Sequence, residues 1–261
     1  MTTREGIDSF SLKDKVAMVT GGAGRYGKFI VEGLAEAGAT VYVASRDVQR
    51  CRIFAEELID KGLKVKGEQL DQASEESIKR LFNLVLSKEK KIDILVNNAV
   101  LRPMKSYNDD IESFSRSMDV NATGIFMMTR IFSENMLQRR AGSIINIASI
   151  QGVVGPDFSL YEGTSMDVPP DYFFHRAGVI NLTRYFASRF GPYSVRVNSI
   201  SPGGLFENQD PKFVERYNRR TFLGRMANGD DIKGPVVFLA SDASMYVTGA
   251  NLMVDGGYIS K

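Results

Sequence analysis

The chain is poor in the residues that most hard chemistry uses. Its 261 residues include one cysteine, Cys51, one histidine, His175, and no tryptophan. A lone cysteine excludes an intrachain disulfide and fits a reducing compartment. A lone histidine excludes a His-based zinc site and a HExxH protease helix, and no Cys-X-X-Cys cluster is possible. No GxSxG elbow occurs, which argues against a serine hydrolase. The expectation is no metal, with proton transfer left to Tyr, Ser, Lys, Arg, Asp or Glu. Long apolar runs are missing too. Nothing approaches the roughly 20 residues of a membrane span, and the opening MTTREGIDSF has no charged-then-apolar signal pattern. These absences predict a cytoplasmic protein with no membrane partner. Charge of one sign is also scarce: 33 Lys+Arg against 31 Asp+Glu leave a net charge of +2. The short pairs Arg139-Arg140 and Arg219-Arg220 read as solvated helix ends, so no nucleic-acid partner is expected.

What is present is ordinary in amount and regular in order. Hydrophobic residues make up 43% and charged residues 25%, a composition that can bury a core without staples. Short β-rich runs at 16–20, 40–44, 64–69, 93–97, 143–148, 195–200 and 251–254 alternate with helical patterns at 28–37, 49–61, 74–87, 113–139, 171–190 and 230–240. Such alternation predicts an α/β fold, a doubly wound parallel sheet of about seven strands with helices on both faces. The near-continuous apolar character of 92–96 and 143–147 suits strands covered on both sides. No linker-like break interrupts 1–261, which predicts one domain. Residues 98–112, 150–170 and 201–229 resist the alternation. All three leave predicted strand C-ends, where an open α/β sheet forms its ligand crevice.

The first strand runs into Gly21-Gly22-Ala23-Gly24-Arg25-Tyr26-Gly27 before a helix. This can be read as GxGxxG from Gly22, Gly24 and Gly27, or as TGxxGxxG from Thr20, Gly21, Gly24 and Gly27. A tight turn, close backbone approach to a pyrophosphate and a helix N-terminus are what dinucleotide binding needs. The second strand ends in Ser45-Arg46-Asp47. Ser45 stands where an acid would bind the ribose of NAD, and Arg46, with Arg25, offers positive charge to the 2′-phosphate of NADP. NADP is favoured; Asp47 keeps NAD open, and Arg46 can equally be read as a solvated side chain.

Further segments complete a pattern: Asn97-Asn98-Ala99, Asn121 in Asp119-Val120-Asn121-Ala122-Thr123-Gly124, Ser149 after the fifth strand, Ser201-Pro202-Gly203 after the sixth, and Val254-Asp255-Gly256-Gly257. With the glycine turn, this resembles the short-chain dehydrogenase/reductase family over residues 12–258. The resemblance implies a Rossmann-type fold and NAD(P)-dependent hydride transfer between nicotinamide and a carbonyl or alcohol. It also implies a dimer or tetramer built on the helices between the fourth and fifth strands, where Ile125, Phe126, Met127 and Met128 form an apolar run. The cofactor residues it implies are Thr20, Gly21, Gly22, Gly24, Arg25, Tyr26, Gly27, Ser45, Arg46, Asp71, Asn98, Ala99, Pro202 and Gly203, together with Tyr172 and Arg176.

The family's active site is Asn, Ser, Tyr and Lys, with Tyr and Lys spaced YxxxK. Tyr161 is followed by Ser165, with Gly163 between. Tyr172 is followed by Arg176 in Tyr-Phe-Phe-His-Arg-Ala-Gly-Val-Ile-Asn-Leu-Thr, a better match to the active-site helix, which Pro169-Pro170 would start. The expected catalytic set is Asn121, Ser149, Tyr172 and Arg176, with Asn121 holding a water of the relay. Arg in place of Lys keeps the positive charge but cannot release a proton. A non-catalytic cofactor-binding regulator or interaction subunit is therefore an alternative reading, as is a sugar-nucleotide epimerase or dehydratase. The 22 residues between Ser149 and Tyr172 make 153–170 an expected lid or pocket wall. That insert resembles oxidoreductases of bacterial surface-sugar pathways, including flagellin-modification types, and suggests a sugar derivative as substrate.

Overall fold

The computed structural model describes residues 6–261. Seven strands, β1 (Val16–Thr20), β2 (Thr40–Ser45), β3 (Val65–Gln69), β4 (Ile94–Asn97), β5 (Gly142–Ile147), β6 (Val195–Pro202) and β7 (Asn251–Val254), form one parallel sheet in the order β3-β2-β1-β4-β5-β6-β7. The order reverses between β1 and β4, and that switch point opens a crevice at the strand C-ends. The helices are α1 (Arg25–Glu36), α2 (Val48–Ile59), α3 (Glu75–Glu89), α4 (Ile111–Met118), α5 (Gly124–Arg139), α6 (Pro170–Phe190), α7 (Pro211–Arg220) and α8 (Lys233–Ala240). Among the described residues no helix is long and apolar enough to cross a membrane.

Period-two alternation in the strands sorts the core into two layers. Ala17, Val19, Val41 and Val43 point to one face, where α1, α2 and α8 supply Ile30, Leu34, Phe54 and Val236. Val16, Met18, Tyr42 and Ala44 point to the other, covered by Ile78, Phe132 and Phe186 of α3, α5 and α6. A chain of buried amides crosses this second layer. Asn97 Nδ2 donates to Asn146 Oδ1 (2.8 Å) and Thr129 Oγ1 (3.1 Å), and Asn146 Nδ2 donates to Thr183 Oγ1 (2.9 Å). It fixes β4 and β5 against α5 and α6 just below their functional ends.

Two elements differ from the sequence expectation. The helix expected over 113–139 is α4 and α5 joined by one π-helical turn, Asp119–Thr123. Its apolar run is also split, because Ile125 and Met128 enter the core while Phe126 stays 40% exposed. Residues 201–229, expected as a loop, contain α7. Asp210 caps it by accepting from Lys212 N (2.8 Å), Pro211 starts it, and Phe213 and Tyr217 are buried one turn apart. This cap, proline and i, i+4 aromatic pair were legible signals. α7, the 150–170 segment and the chain's last residues share a third, smaller core of Ile150, Leu160, Phe213, Tyr217, Met226 and Tyr258.

Candidate active site

The chain leaves β1 through a turn that tolerates no side chains where it is tightest. Gly21 adopts φ +63°, and a Cβ there would lie 2.7 Å from Ala99 Cα; one on Gly27 would lie 2.8 Å from Asn98 Nδ2. Thr20 and Asn98 stitch β1 to β4 around this turn. Thr20 Oγ1 accepts the N–H groups of Asn98 (3.1 Å) and Ala99 (3.0 Å), while Asn98 Nδ2 donates to the carbonyls of Thr20 and Gly21 (both 3.0 Å). Gly24 is the N-cap of α1 and makes no side-chain cap, so the positive end of the helix is left open. A Cβ on Gly22 would strike Val31 and Val43, so this glycine lets α1 sit close on the sheet. Tyr26 and Arg25 tie the turn to the chain beyond β6. The Tyr26 hydroxyl donates to Gly203 O (3.1 Å), next to Pro202, and Arg25 Nε pairs with Glu207 (3.0 Å).

At the end of β2, Ser45 Oγ donates to Asp47 O (3.0 Å) and meets Cys51 Sγ (3.1 Å). The Asp47 carboxylate caps α2 by accepting from Arg50 N (3.0 Å). Arg46 is exposed and lines a cavity of about 380 Å³ with Gln69, Asp71, Ser77 and Arg80. Asp71 is turned back on its own loop, accepting from Ala73 N (3.0 Å). Arg80 was not singled out from the sequence. It sits on α3 and lines the same cavity as Arg46, together with Glu76, and only tertiary structure brings the two cations to one space.

Beyond β4 and β5 the remaining expected residues converge. α6 starts at Pro170 with Pro169 as N-cap, so Tyr172 and Arg176 lie one turn apart on one face. Arg176 is 3% exposed. Its Nη1 donates to Ile147 O, its Nε has no partner, and its guanidinium carbon lies 5.0 Å from the Tyr172 ring centre. Ser149 and Arg176 both lie near enough to the Tyr172 hydroxyl to favour its charged form. A further cation completes the arrangement: the guanidinium of Arg102, in the loop after β4, stands 4.3 Å from the same ring centre. Burial pushes the Tyr172 phenol up, but Arg176, Arg102 and Ser149 together outweigh it and bring the pKa down to about 8. His175 packs its ring edge-on against Tyr172, with centroids 5.2 Å apart. Burial, then Arg176 and Arg102, lower its pKa to about 3, so it stays neutral. Sequence reasoning passed over Arg102, although its loop was expected to line the site.

Asn121 lies in the π-helical turn, an element that often marks functional positions. Its side chain is committed to the loop that carries Arg102. Oδ1 accepts from Leu101 N (2.9 Å), and Nδ2 donates to Leu101 O (2.7 Å) and Ser117 Oγ (3.0 Å). Gln72 holds the turn from outside by donating to Val120 O (2.9 Å). The 150–170 segment forms a wall beside this centre, pinned by Arg216 of α7, whose Nη1 reaches the carbonyls of Ser159 (3.1 Å) and Glu162 (2.6 Å). Tyr161 packs on Phe213 there, and burial raises its phenol to about 12, so it is a poor proton carrier beside Tyr172.

A family model described as enoyl-(acyl carrier protein) reductase matches residues 26–259. The 2-dehydro-3-deoxy-D-gluconate 5-dehydrogenase of Pseudoalteromonas atlantica is 34% identical over 98% of this chain and 100% of its own. The post-translational flagellin modification protein A of Campylobacter coli is 30% identical over 95% of this chain and 99% of its own. Among solved structures, a gluconate 5-dehydrogenase from Burkholderia cenocepacia in complex with NADP and tartrate superposes with a TM-score of 0.89 at 27% identity, covering 98% of this chain and 100% of that one.

Proposed function

The chain belongs to the short-chain dehydrogenase/reductase family, and from that membership we propose that it is an NADP-dependent oxidoreductase acting on the carbonyl or alcohol of a small sugar derivative. The observation that carries this reading is the Tyr172 phenol set between Arg176 and Arg102, with Ser149 in reach of its oxygen.

The residues present fit the cofactor. The glycines let the turn pack tightly against β4 and the sheet, and the turn delivers an open helix N-terminus suited to a pyrophosphate. Arg46, at the cavity it shares with Arg80, suits a 2′-phosphate, whereas Asp47 is occupied as a helix cap. The buried Arg176 Nε is a donor without an acceptor, suited to a ribose hydroxyl. When bound, NADP supplies or takes up the hydride. Ser149 donates a hydrogen bond to the substrate oxygen. Tyr172 gives that oxygen a proton in reduction and removes one in oxidation. Arg176 and Arg102 make the phenolate accessible near neutral pH. Arg176 does not release a proton, so the Tyr172 proton exchanges by a route other than ionisation of residue 176. The polyhydroxylated class of substrate rests on the sugar dehydrogenase and flagellin-modification relatives.

The enzyme is further proposed to work as a homodimer or homotetramer. Phe126 of α5 and Phe174 and Tyr185 of α6 are exposed at 40%, 65% and 56% on helices that flank one another. The single buried Cys51 suits a reducing, cytoplasmic setting. The test is a panel of carbonyl compounds, sugars and alcohols offered with NADPH, NADP⁺, NADH or NAD⁺, following nicotinamide absorbance. Turnover with the phosphorylated cofactor is expected. Silence across the panel from protein that binds NADPH would overturn the catalytic reading.

A further inference from the structure

We propose that Arg102 is the anion-recognition residue of the substrate site, so that the substrate carries a carboxylate or phosphate close to the carbon served by Tyr172 and Ser149. The inference rests on the oxidoreductase reading above and narrows its substrate class. Arg102 has no ion-pair or hydrogen-bond partner for its guanidinium among the described residues; its contact is the stack on the Tyr172 ring. A guanidinium held over a ring by this contact alone keeps its N–H groups available, and its fork matches a carboxylate or phosphate two bonds at a time.

The backbone that carries Arg102 is held on both sides. Asn121 clamps both polar groups of Leu101 (2.9 and 2.7 Å), and the Arg102 carbonyl accepts from Lys105 Nζ (2.9 Å). A side chain whose purpose was solvation alone would not need this anchoring. Two acidic residues of the same loop are already engaged. Asp109 accepts from Lys105 N (2.5 Å) and Ser106 Oγ (3.0 Å), and Asp110 caps α4 through Ser113 N (2.6 Å). Asp171, which precedes Tyr172, is buried at 1% exposure, its Oδ1 has no hydrogen-bond partner, and it forms no ion pair with either arginine among the described residues. Among the described residues no carboxylate is paired to either of the two guanidinium groups beside the reacting phenol. Arg176 is buried and directed to Ile147 O, whereas Arg102 is exposed and can meet an incoming ligand. A neutral carbonyl compound would leave Arg102 unused; an anionic one would be held by it with its reacting carbon at Tyr172.

The test is a titration of NADP⁺-loaded protein with matched probes: tartrate against dimethyl tartrate, and glycerol 2-phosphate against glycerol. The wild type is expected to bind at least one anion about tenfold or more tightly than its neutral partner, the size of a charge-assisted paired hydrogen bond. Arg102→Gln should abolish that preference, Arg102→Lys should keep part of it, and NADP⁺ affinity should be the same in all three proteins. The anion whose binding suffers more in Arg102→Gln identifies the carboxylate or the phosphate as the recognised group. Equal binding of charged and neutral probes, saturable binding of neither anion, or an undiminished preference in Arg102→Gln would overturn the proposal. Failure to bind NADP⁺ would instead refute the cofactor reading, and the same anion titration on free protein would still decide the role of Arg102.

Discussion

Residue 176 is where this chain departs most from its family's pattern, and the structure gives the departure a physical setting. An arginine there is buried against Ile147 O with its Nε free, and a second arginine approaches Tyr172 from another loop. Two permanent cations offset the burial that alone would raise the phenol. Arg176→Lys is expected to lower kcat rather than raise it, because a shorter point charge cannot hold both the strand carbonyl and the phenol. A gain in kcat in a steady-state assay would mark the site as a decayed lysine site. Cofactor choice is argued at the same scale. Arg46→Asp should weaken NADPH binding about tenfold or more, the scale of one charge-assisted contact, and spare NADH; equal loss for both in a fluorescence titration would contradict the assignment. Tyr172, Arg176 and Ser149 were legible because a spacing of four on a helix and a position after a strand are sequence properties. Arg102 and Arg80 were not singled out, since each meets its partners only through packing between loops and helices distant in sequence.

At the scale of elements, most of the fold followed from pattern. The strands fall within a residue or two of the apolar runs because a strand covered on both faces has few polar positions to blur it. The π-helical turn at Asp119–Thr123 was hidden, since helical periodicity continues on both sides of it. α7 was missed because Gly and polar residues around it read as loop, and its buried aromatic pair pays off only against the 150–170 segment. The amide chain through Asn97 and Asn146 locks β4, β5, α5 and α6 below the active site. Asn146→Ala leaves Asn97 Nδ2 with one acceptor and Thr183 without its donor. It should cost about 1–3 kcal/mol, read as a lower urea midpoint at fixed protein concentration, with an unchanged midpoint arguing against the network.

At the scale of the whole molecule, the switch between β1 and β4 gathers into one crevice residues that are scattered from Thr20 to Gly203. The sheet order delivers the glycine turn, the Arg102 loop, Ser149 and α6 to the same end of the strands. The aromatic side chains exposed on α5 and α6 are argued to be covered by a second copy, so light scattering at micromolar concentration should report a dimer or tetramer; a monomer would contradict it. The central claim is that Tyr172 is the acid/base, tuned by two arginines. Its most direct test is the pH dependence of kcat for alcohol oxidation with NADP⁺, in the wild type and in Tyr172→Phe. Oxidation needs the phenolate, so the wild-type rate should rise with pH through a limb near 8 and level off above it. Tyr172→Phe should lose this limb and at least about a hundredfold in kcat, the lower range for a lost acid/base group, with NADP⁺ binding intact. A variant that keeps both the rate and the limb would contradict the account.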